Sequence, residues 1–315
     1  MTPKQKYLSF CIEESLPVFV QPWYLDAICS TTHWDVALIE RNEKVVAAFP
    51  YHFKKRGPYL IILMPFLVKM MGPYIAVDFQ KKSKRITEEL IEQLPPVDEF
   101  AQNFHYDVTD WLPFYWKGFK QSTMYSYVFE DLSDLDRTYA GIKSTYRNNK
   151  IKKAEKLVQI QTDLSLEEFY KIQQLTFARQ GKQFVIPFSF LEKIDHALVA
   201  NLSRKMFFAV DDAGRIHSVA YLIWDQKTAY YLFAGDDPNL RSSGAGIFLI
   251  WEAIQYTKNV LGLNRFDFQG SMIPGIEKVR RSFGAKAIPY FRIWKEAPKA
   301  YRLMKWLKGR GWKKS

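Results

Sequence analysis

The stretch Tyr230–Trp251, YYLFAGDDPNLRSSGAGIFLIW, changes character halfway along. Its beginning belongs to Thr228–Ala234 (TAYYLFA), an aromatic-rich run bounded by polar turn residues, which predicts a strand. Its end predicts a helix, because Ile247, Ile250, Trp251 and Ile254 recur at three- and four-residue spacing. Between the two lies Arg241-Ser242-Ser243-Gly244-Ala245-Gly246, which opens directly onto the helix. The first N–H groups of a helix lack intrahelical partners, and the helix dipole adds partial positive charge there. Gly244 and Gly246 let the backbone approach a ligand that a β-carbon would repel, and Arg241 adds a planar cation. The loop therefore reads as a phosphate cradle, against the plainer reading of a helix start with flexible glycines. On the cradle reading, Gly244→Val removes phosphate binding and leaves the thermal midpoint nearly unchanged.

Strands flank this stretch. Met206–Val210 and Ile216–Trp224 precede it, joined by the turn Asp211-Asp212-Ala213-Gly214, and Arg265–Phe268 and Ile288–Trp294 follow it. Upstream, Pro22–Ser30 predicts a short helix with proline in its first turn. Trp34–Glu40 and Val45–Phe53 predict a hairpin around Arg41–Lys44; Leu60–Met64, Tyr74–Val77, Phe104–Val108 and Tyr125–Phe129 predict further strands. Lys84–Leu94 predicts a helix that Pro95-Pro96 stops. Leu132–Val158 reads as one helical connector with a basic middle from Arg147 to Lys156. Leu166–Gln180 follows as a helix with Ser165 and Glu168 at capping-box spacing and Gly181 at its end, and then Phe188–Leu202.

At 315 residues the chain exceeds the size at which one core keeps growing, so two domains are expected. An apolar fraction of 48% argues against disorder. The net charge of +12 is uneven, since seven cations and no acid follow Glu296. Two cysteines exclude a disulfide scaffold, and the five histidines show no metal-ligand spacing, so no metal is expected. The polar N-terminus is unlike a secretory signal. Leu60–Val77 is apolar but broken by Pro65, Lys69, Gly72 and Pro73, which suits buried strands better than a membrane span. The default compartment is the cytoplasm.

RSSGAG matches the R/Q-x-x-G-x-G/A pyrophosphate loop of the GNAT acyltransferase superfamily, and it follows the fourth strand of a β-rich run, as in that family. Trp116-Lys117-Gly118-Phe119, the basic helix Arg147–Lys156, FDFQGS and VRRSFGA occur in an order that resembles the Fem-type branch, the FemAB-like and acetyltransferase type 6 proteins. The resemblance implies an α/β (α+β) chain of two tandem GNAT-like domains, each a mixed, mostly antiparallel sheet flanked by helices. The expected division is residues 1–130 without a phosphate loop, 131–298 with the connector and the loop, and a basic tail at 299–315.

The resemblance also implies attack of an amine on a thioester or ester carbonyl. Arg241, Ser242, Ser243, Gly244, Ala245 and Gly246 would anchor the pyrophosphate of acetyl-CoA or another acyl-CoA, and Phe233, Ala234 and Gly235 its pantetheine arm. GNAT enzymes often place a proton-donating tyrosine on the helix after strand five, but IEKVRRSF (276–283) has none. The role is then unassigned, or filled by a residue such as Ser271 or Tyr290. Asp267 and Gln269 share one side of strand five, as candidates to orient or deprotonate the amine. Arg280 stands three positions before Phe283-Gly284, where Fem-type enzymes carry a basic residue, usually lysine. Arg280, Arg147 and Lys150 are candidate contacts for an acidic substrate, or solvated helix charges.

Three function classes follow: an acyl-CoA-dependent N-acyltransferase acting on a small, sugar-linked or cell-wall-precursor amine; a Fem-type enzyme using aminoacyl-tRNA; or a non-catalytic binding protein. No sequence-specific DNA-binding module is visible. In the tail, Tyr301, Leu303, Met304, Trp306, Leu307 and Trp312 interleave with the cations. Such a helix either docks on the protein or lies weakly on the anionic inner face of a membrane.

Overall fold

The computed structural model describes residues 1–29, 33–270, 272–302 and 306. The chain forms two compact units, residues 1–124 with 289–315, and residues 125–288. It passes between them within the strands Lys120–Phe129 and Lys286–Lys295. The division thus differs from one at 130 and 298: residues 289–298 belong to the first unit, because Arg292–Lys295 pair with residues 100–103 there.

In the first unit, α1 (Pro3–Glu13) and α2 (Pro22–Cys29) precede the hairpin of β1 (Trp34–Arg41) and β2 (Lys44–Arg56). Asn42 and Glu43 both have positive φ, which sets the twist of a tight two-residue hairpin turn. β3 (Tyr59–Leu63) and the two-residue β4 (Tyr74–Ile75) both pair with β2. α3 (Ser83–Gln93) leads to β5 (Glu99–Asn103), parallel to β3, and α4 (Leu112–Trp116) follows. β5 lies five residues before the expected Phe104–Val108. Its buried positions, Phe100 and Gln102, alternate with partly exposed ones, and its polar residues hid this period in the sequence. Edge-to-face rings of Phe49, Phe100, Phe104, Phe114 and Phe119 fill the core. Tyr301 is fully buried against Ile61, Ala297 and Tyr59, with the two tyrosine rings 4.6 Å apart. The start of the tail is therefore docked, whereas Trp306 is exposed; Leu303, Met304, Leu307 and Trp312 lie outside the described residues.

The second unit orders its strands as β6 (Lys120–Phe129), β11 (Arg265–Asp267), β10 (Thr228–Asp236), β9 (Ile216–Trp224), β8 (Arg204–Val210) and β7 (Gln159–Gln161). Only β10–β11 is parallel, since α9 (Ala245–Asn259) crosses over between them. β9 is buried along nearly its whole length because helices cover both its faces. Phe248, Leu249 and Ile254 of α9 join Ala220, Leu222 and Tyr231 in one core, while Phe169 of α7 (Leu166–Ala178) packs on Tyr221 from the other face. α8 (Phe188–Ala200) adds Asp195, which accepts from Tyr221 and pairs with Arg204.

The connector is not one helix. α5 (Leu135–Gly141) ends where Ile142 turns extended, and Lys143 donates its N–H to the carbonyl of Ser282. α6 then runs over 144–154, with a π-helical segment at Arg147–Ile151. Such bulges concentrate at functional sites. α10 (Pro274–Ser282) precedes β12 (Lys286–Lys295). No helix of the described residues is long and apolar enough to cross a membrane.

The capping box on α7 is formed: Ser165 Oγ accepts from the Glu168 N–H, and Glu168 Oε2 accepts from the Ser165 N–H. Ser165→Ala removes one acceptor for an otherwise unpaired helix N–H, so urea unfolding should show a loss of about 1 kcal/mol. An unchanged midpoint would mean that water serves this helix end equally well.

Candidate functional site

β10 and β11 pair over only three residues, Thr228–Arg265, Ala229–Phe266 and Tyr230–Asp267. β10 continues to Asp236 along β9 alone, while the chain beyond Asp267 bends toward β6, where Phe268 donates its N–H to the carbonyl of Tyr127. Gln269 and Gly270 both sit in the left-handed region. A β-carbon at Gly270 would collide with the Tyr125 carbonyl, so only glycine permits this bend. Gln269 has no such excuse. A non-glycine residue held there is strained, and strain of this kind gathers at functional sites. The result is a gap between two parallel strands, with Phe233, Ala234 and Gly235 beside it and Ala234 exposed.

Polar groups converge at the mouth of the gap. Asp267 is 0% exposed, and its Oδ1 accepts from Ser126 Oγ and from the Gln269 N–H, both at 2.6 Å. Arg280 of α10 donates to the Gly270 carbonyl. Burial presses its guanidinium down to about 10, and the carboxylate of Asp267 opposes that fall by favouring the cation. Tyr231 is buried beside them. Burial first, and the charge of Asp236 second, raise its phenol well above the ordinary range, so it stays protonated. The Nε2 of Gln269 is buried with no hydrogen-bond partner among the described residues. Tyr127 donates to Glu277 at 3.0 Å, and Arg281 holds the same carboxylate oxygen at 2.8 Å.

The loop at the head of α9 is a different matter. Arg241–Ser243 form a tight turn and Gly244 has φ +84°. Ser243 N–H donates to Leu240, Gly244 N–H to Arg241, Ala245 N–H to Ser243 Oγ, and Ile247 N–H to Gly244. Arg241 is paired with Asp236 at 3.2 Å, and Lys153 donates to the carbonyl of Ser242. A β-carbon at Gly244 would stand 2.8 Å from Cα and from the carbonyl oxygen of Lys150, and one at Gly246 would collide with Oδ1 of Asp236. A pyrophosphate needs those N–H groups and that cation, and here the chain itself engages them. A pyrophosphate would therefore compete with Asp236 for Arg241 and with the loop's own turn for its N–H groups. The expectation that Gly244→Val leaves stability intact is also revised, because the valine would strike the backbone of α6.

The structure brings Asp267, Gln269 and Arg280 together. Tyr290 falls in the first unit, 2% exposed, and Ser271 lies outside the described residues. Arg147 is turned onto its own helix start, its Nε donating to Ile142 at 2.9 Å and its guanidinium 5.9 Å from the ring of Tyr139. Lys150 lends its backbone to the packing of Gly244. Gly235 is a glycine because Gln173 and Thr176 of α7 press on it, each 2.9 Å from where a β-carbon would stand. Sequence reading missed Tyr231, Asp236 and Ser126. Tyr231 looks like any core aromatic in TAYYLFA, Asp236 passes for a turn residue in GDDPN, and Ser126 lies 141 residues from the carboxylate it contacts. Among the described residues, no group of three or more His, Cys, Asp or Glu is placed to hold a metal ion.

Known structures repeat this architecture. FemX superposes with a TM-score of 0.70 at 13% identity, over 92% of this chain and 96% of that one. L-PGS from Bacillus licheniformis gives 0.57 at 10% identity, over 97% and 95%. A tandem GNAT protein from the clavulanic acid biosynthesis pathway gives 0.52 at 11% identity, over 93% and 94%. At such identities the likeness is one of fold. No curated protein matches the sequence. The model of the acetyltransferase (GNAT) domain family matches residues 143–307, more than half of the chain. With the mixed strand pairing inside each unit and the parted β10 and β11, that match places the chain in the acetyltransferase (GNAT) family: it is an acyltransferase with a tandem GNAT fold.

Proposed function

We propose that this chain transfers an acyl or aminoacyl group from an activated ester to an amine, at the gap between β10 and β11. The observation that carries the reading is the fully buried carboxylate of Asp267 together with half-buried Arg280, which donates to the Gly270 carbonyl, set where the two strands part. A neutral amine enters the gap and attacks the acyl carbonyl; the C–N bond forms as the carbonyl oxygen takes up negative charge. Arg280 faces that charge in a water-poor site, where a fixed cation is worth most. Gln269 Nε2, which has no other partner among the described residues, donates to the same oxygen. Collapse restores the C=O and expels the donor oxygen, which takes up, through water, the proton lost by the amine. Asp267 is fully buried and doubly hydrogen-bonded, so in this reading it positions Arg280 and the Gln269–Gly270 bend rather than touching the amine.

The donor is the point of choice. Acetyl-CoA or another acyl-CoA is what an RSSGAG loop suggests, but the loop's N–H groups and its arginine are engaged within the chain. An ester donor such as aminoacyl-tRNA requires no pyrophosphate there, and the exposed cations Lys152, Lys153 and Lys156 on and just after α6 suit a phosphate backbone. The acceptor is read as a small amine or an amine of a cell-wall or glycan precursor, within a cytoplasmic reaction. Membrane contact through the tail is no part of this reading, because most of its residues lie outside those described and Tyr301 is docked. The test supplies radiolabelled acetyl-CoA and charged tRNA in parallel, with amine acceptors, and follows the label. Transfer from the tRNA alone, falling steeply with salt, is expected. Transfer from acetyl-CoA would overturn the choice of donor, and transfer from neither would overturn the reading.

A further inference from the structure

We infer that Asp236 is a specificity-determining residue: its carboxylate occupies the phosphate-facing side of the loop at the head of α9 and bars donors that carry a pyrophosphate. The inference rests on the choice of donor given above and names the group responsible. Asp236 stands at the last position of β10, where its N–H donates to Thr176 Oγ1 at 2.8 Å; the one proton of that hydroxyl lies within reach of the carbonyls of Asp236 and Ile172, at 3.0 and 2.9 Å. The side chain therefore has little freedom in where it emerges. One oxygen accepts from Ser218 Oγ at 2.9 Å and lies against Gly246, so closely that a β-carbon there would collide with it. The other oxygen holds Arg241 at 3.2 Å.

Each contact removes something a pyrophosphate would use. The carboxylate stands beside Gly246 in the first turn of α9, where the helix dipole favours an anion, without capping an N–H there. It neutralises the one arginine of the loop. It also places a fixed negative charge where a second anion would arrive, in a setting only partly open to solvent. Gly246 acquires a reason that involves no ligand, since it makes room for Asp236. The motif that resembles a phosphate cradle is thus already filled by an anion of the chain's own.

The experiment titrates the full-length protein with coenzyme A, and separately with inorganic pyrophosphate, by calorimetry, for the wild type, Asp236→Asn and Asp236→Ala. Asparagine keeps the shape and the contact to Ser218 while removing the charge; alanine removes both. Melting curves recorded alongside identify folded variants. The wild type is expected to give no saturable heat at millimolar ligand, and both variants to gain at least about tenfold in affinity for both ligands. A silent wild type with silent, folded variants would overturn the role of Asp236 and leave the choice of donor standing. Saturable binding of coenzyme A to the wild type would overturn both.

Discussion

Asp267→Asn should lower the rate of acyl transfer by about a hundredfold, the scale on which one displaced charge-stabilising donor is felt. The change is isosteric, so the Gln269 N–H and Ser126 Oγ keep an acceptor and the bend after β11 has its local reason to persist. What disappears is the negative charge that favours the cation of Arg280 against its own burial. With that charge gone, the half-buried guanidinium loses the group that favours its cation against burial and is drawn toward water. Arg280 is expected to swing out of the mouth of the gap, and the rate falls for that reason. The loss should appear in kcat, because Asp267 itself, wholly buried, touches no substrate in this reading. A double-mutant cycle isolates the argument. Arg280→Met should match Asp267→Asn, and the double variant should be no slower than either single one. Losses that multiply would show that Asp267 acts on the reactants independently of Arg280. Arg280→Lys is expected to recover part of the rate, since it returns charge without the planar fork.

The strands of both units were largely legible, because aromatic and β-branched runs between turn residues survive whatever surrounds them. Trp34–Arg41, Lys44–Arg56 and Thr228–Asp236 each carry that signal. β5 was not, since its buried Gln102 sits among polar neighbours and its partner strands lie far along the chain. The break at Ile142 was hidden for a related reason. It is imposed by the N–H of Lys143 reaching Ser282, a contact 139 residues away in sequence. At the site, Asp267, Gln269 and Arg280 could be read because they occur in short motifs whose order resembles a family. Tyr231 and Asp236 could not, because a buried phenol and a loop carboxylate acquire meaning only when the splay of two strands puts them beside a cation. The glycines of RSSGAG show the opposite error. Sequence identifies a position that must lack a β-carbon, but not whether a ligand or the chain's own backbone requires it.

Gly244 decides between those causes. Its φ of +84° alone disfavours a branched side chain, by about 1–2 kcal/mol. In addition a β-carbon would stand 2.8 Å from two backbone atoms of Lys150, inside the π-helical segment of α6. No substitution of the Lys150 side chain relieves that contact, since the atoms belong to the main chain, and overpacking of this kind adds roughly 1–3 kcal/mol. Gly244→Val is therefore expected to destabilise the protein by about 2–5 kcal/mol, enough to lower the melting temperature by roughly 4–20 °C in a unit of this size. Gly181→Val provides the control. Its φ of +67° carries the same backbone strain, but nothing lies within 4 Å of the position a β-carbon would take. Gly181→Val should lose only the strain, and the excess loss at Gly244 measures the packing of α6 on the loop. If both variants melt together, the backbone of Lys150 does not press on Gly244 in solution. The glycine would then be needed for something that approaches from outside the chain, and the case for a pyrophosphate-bearing donor would be restored.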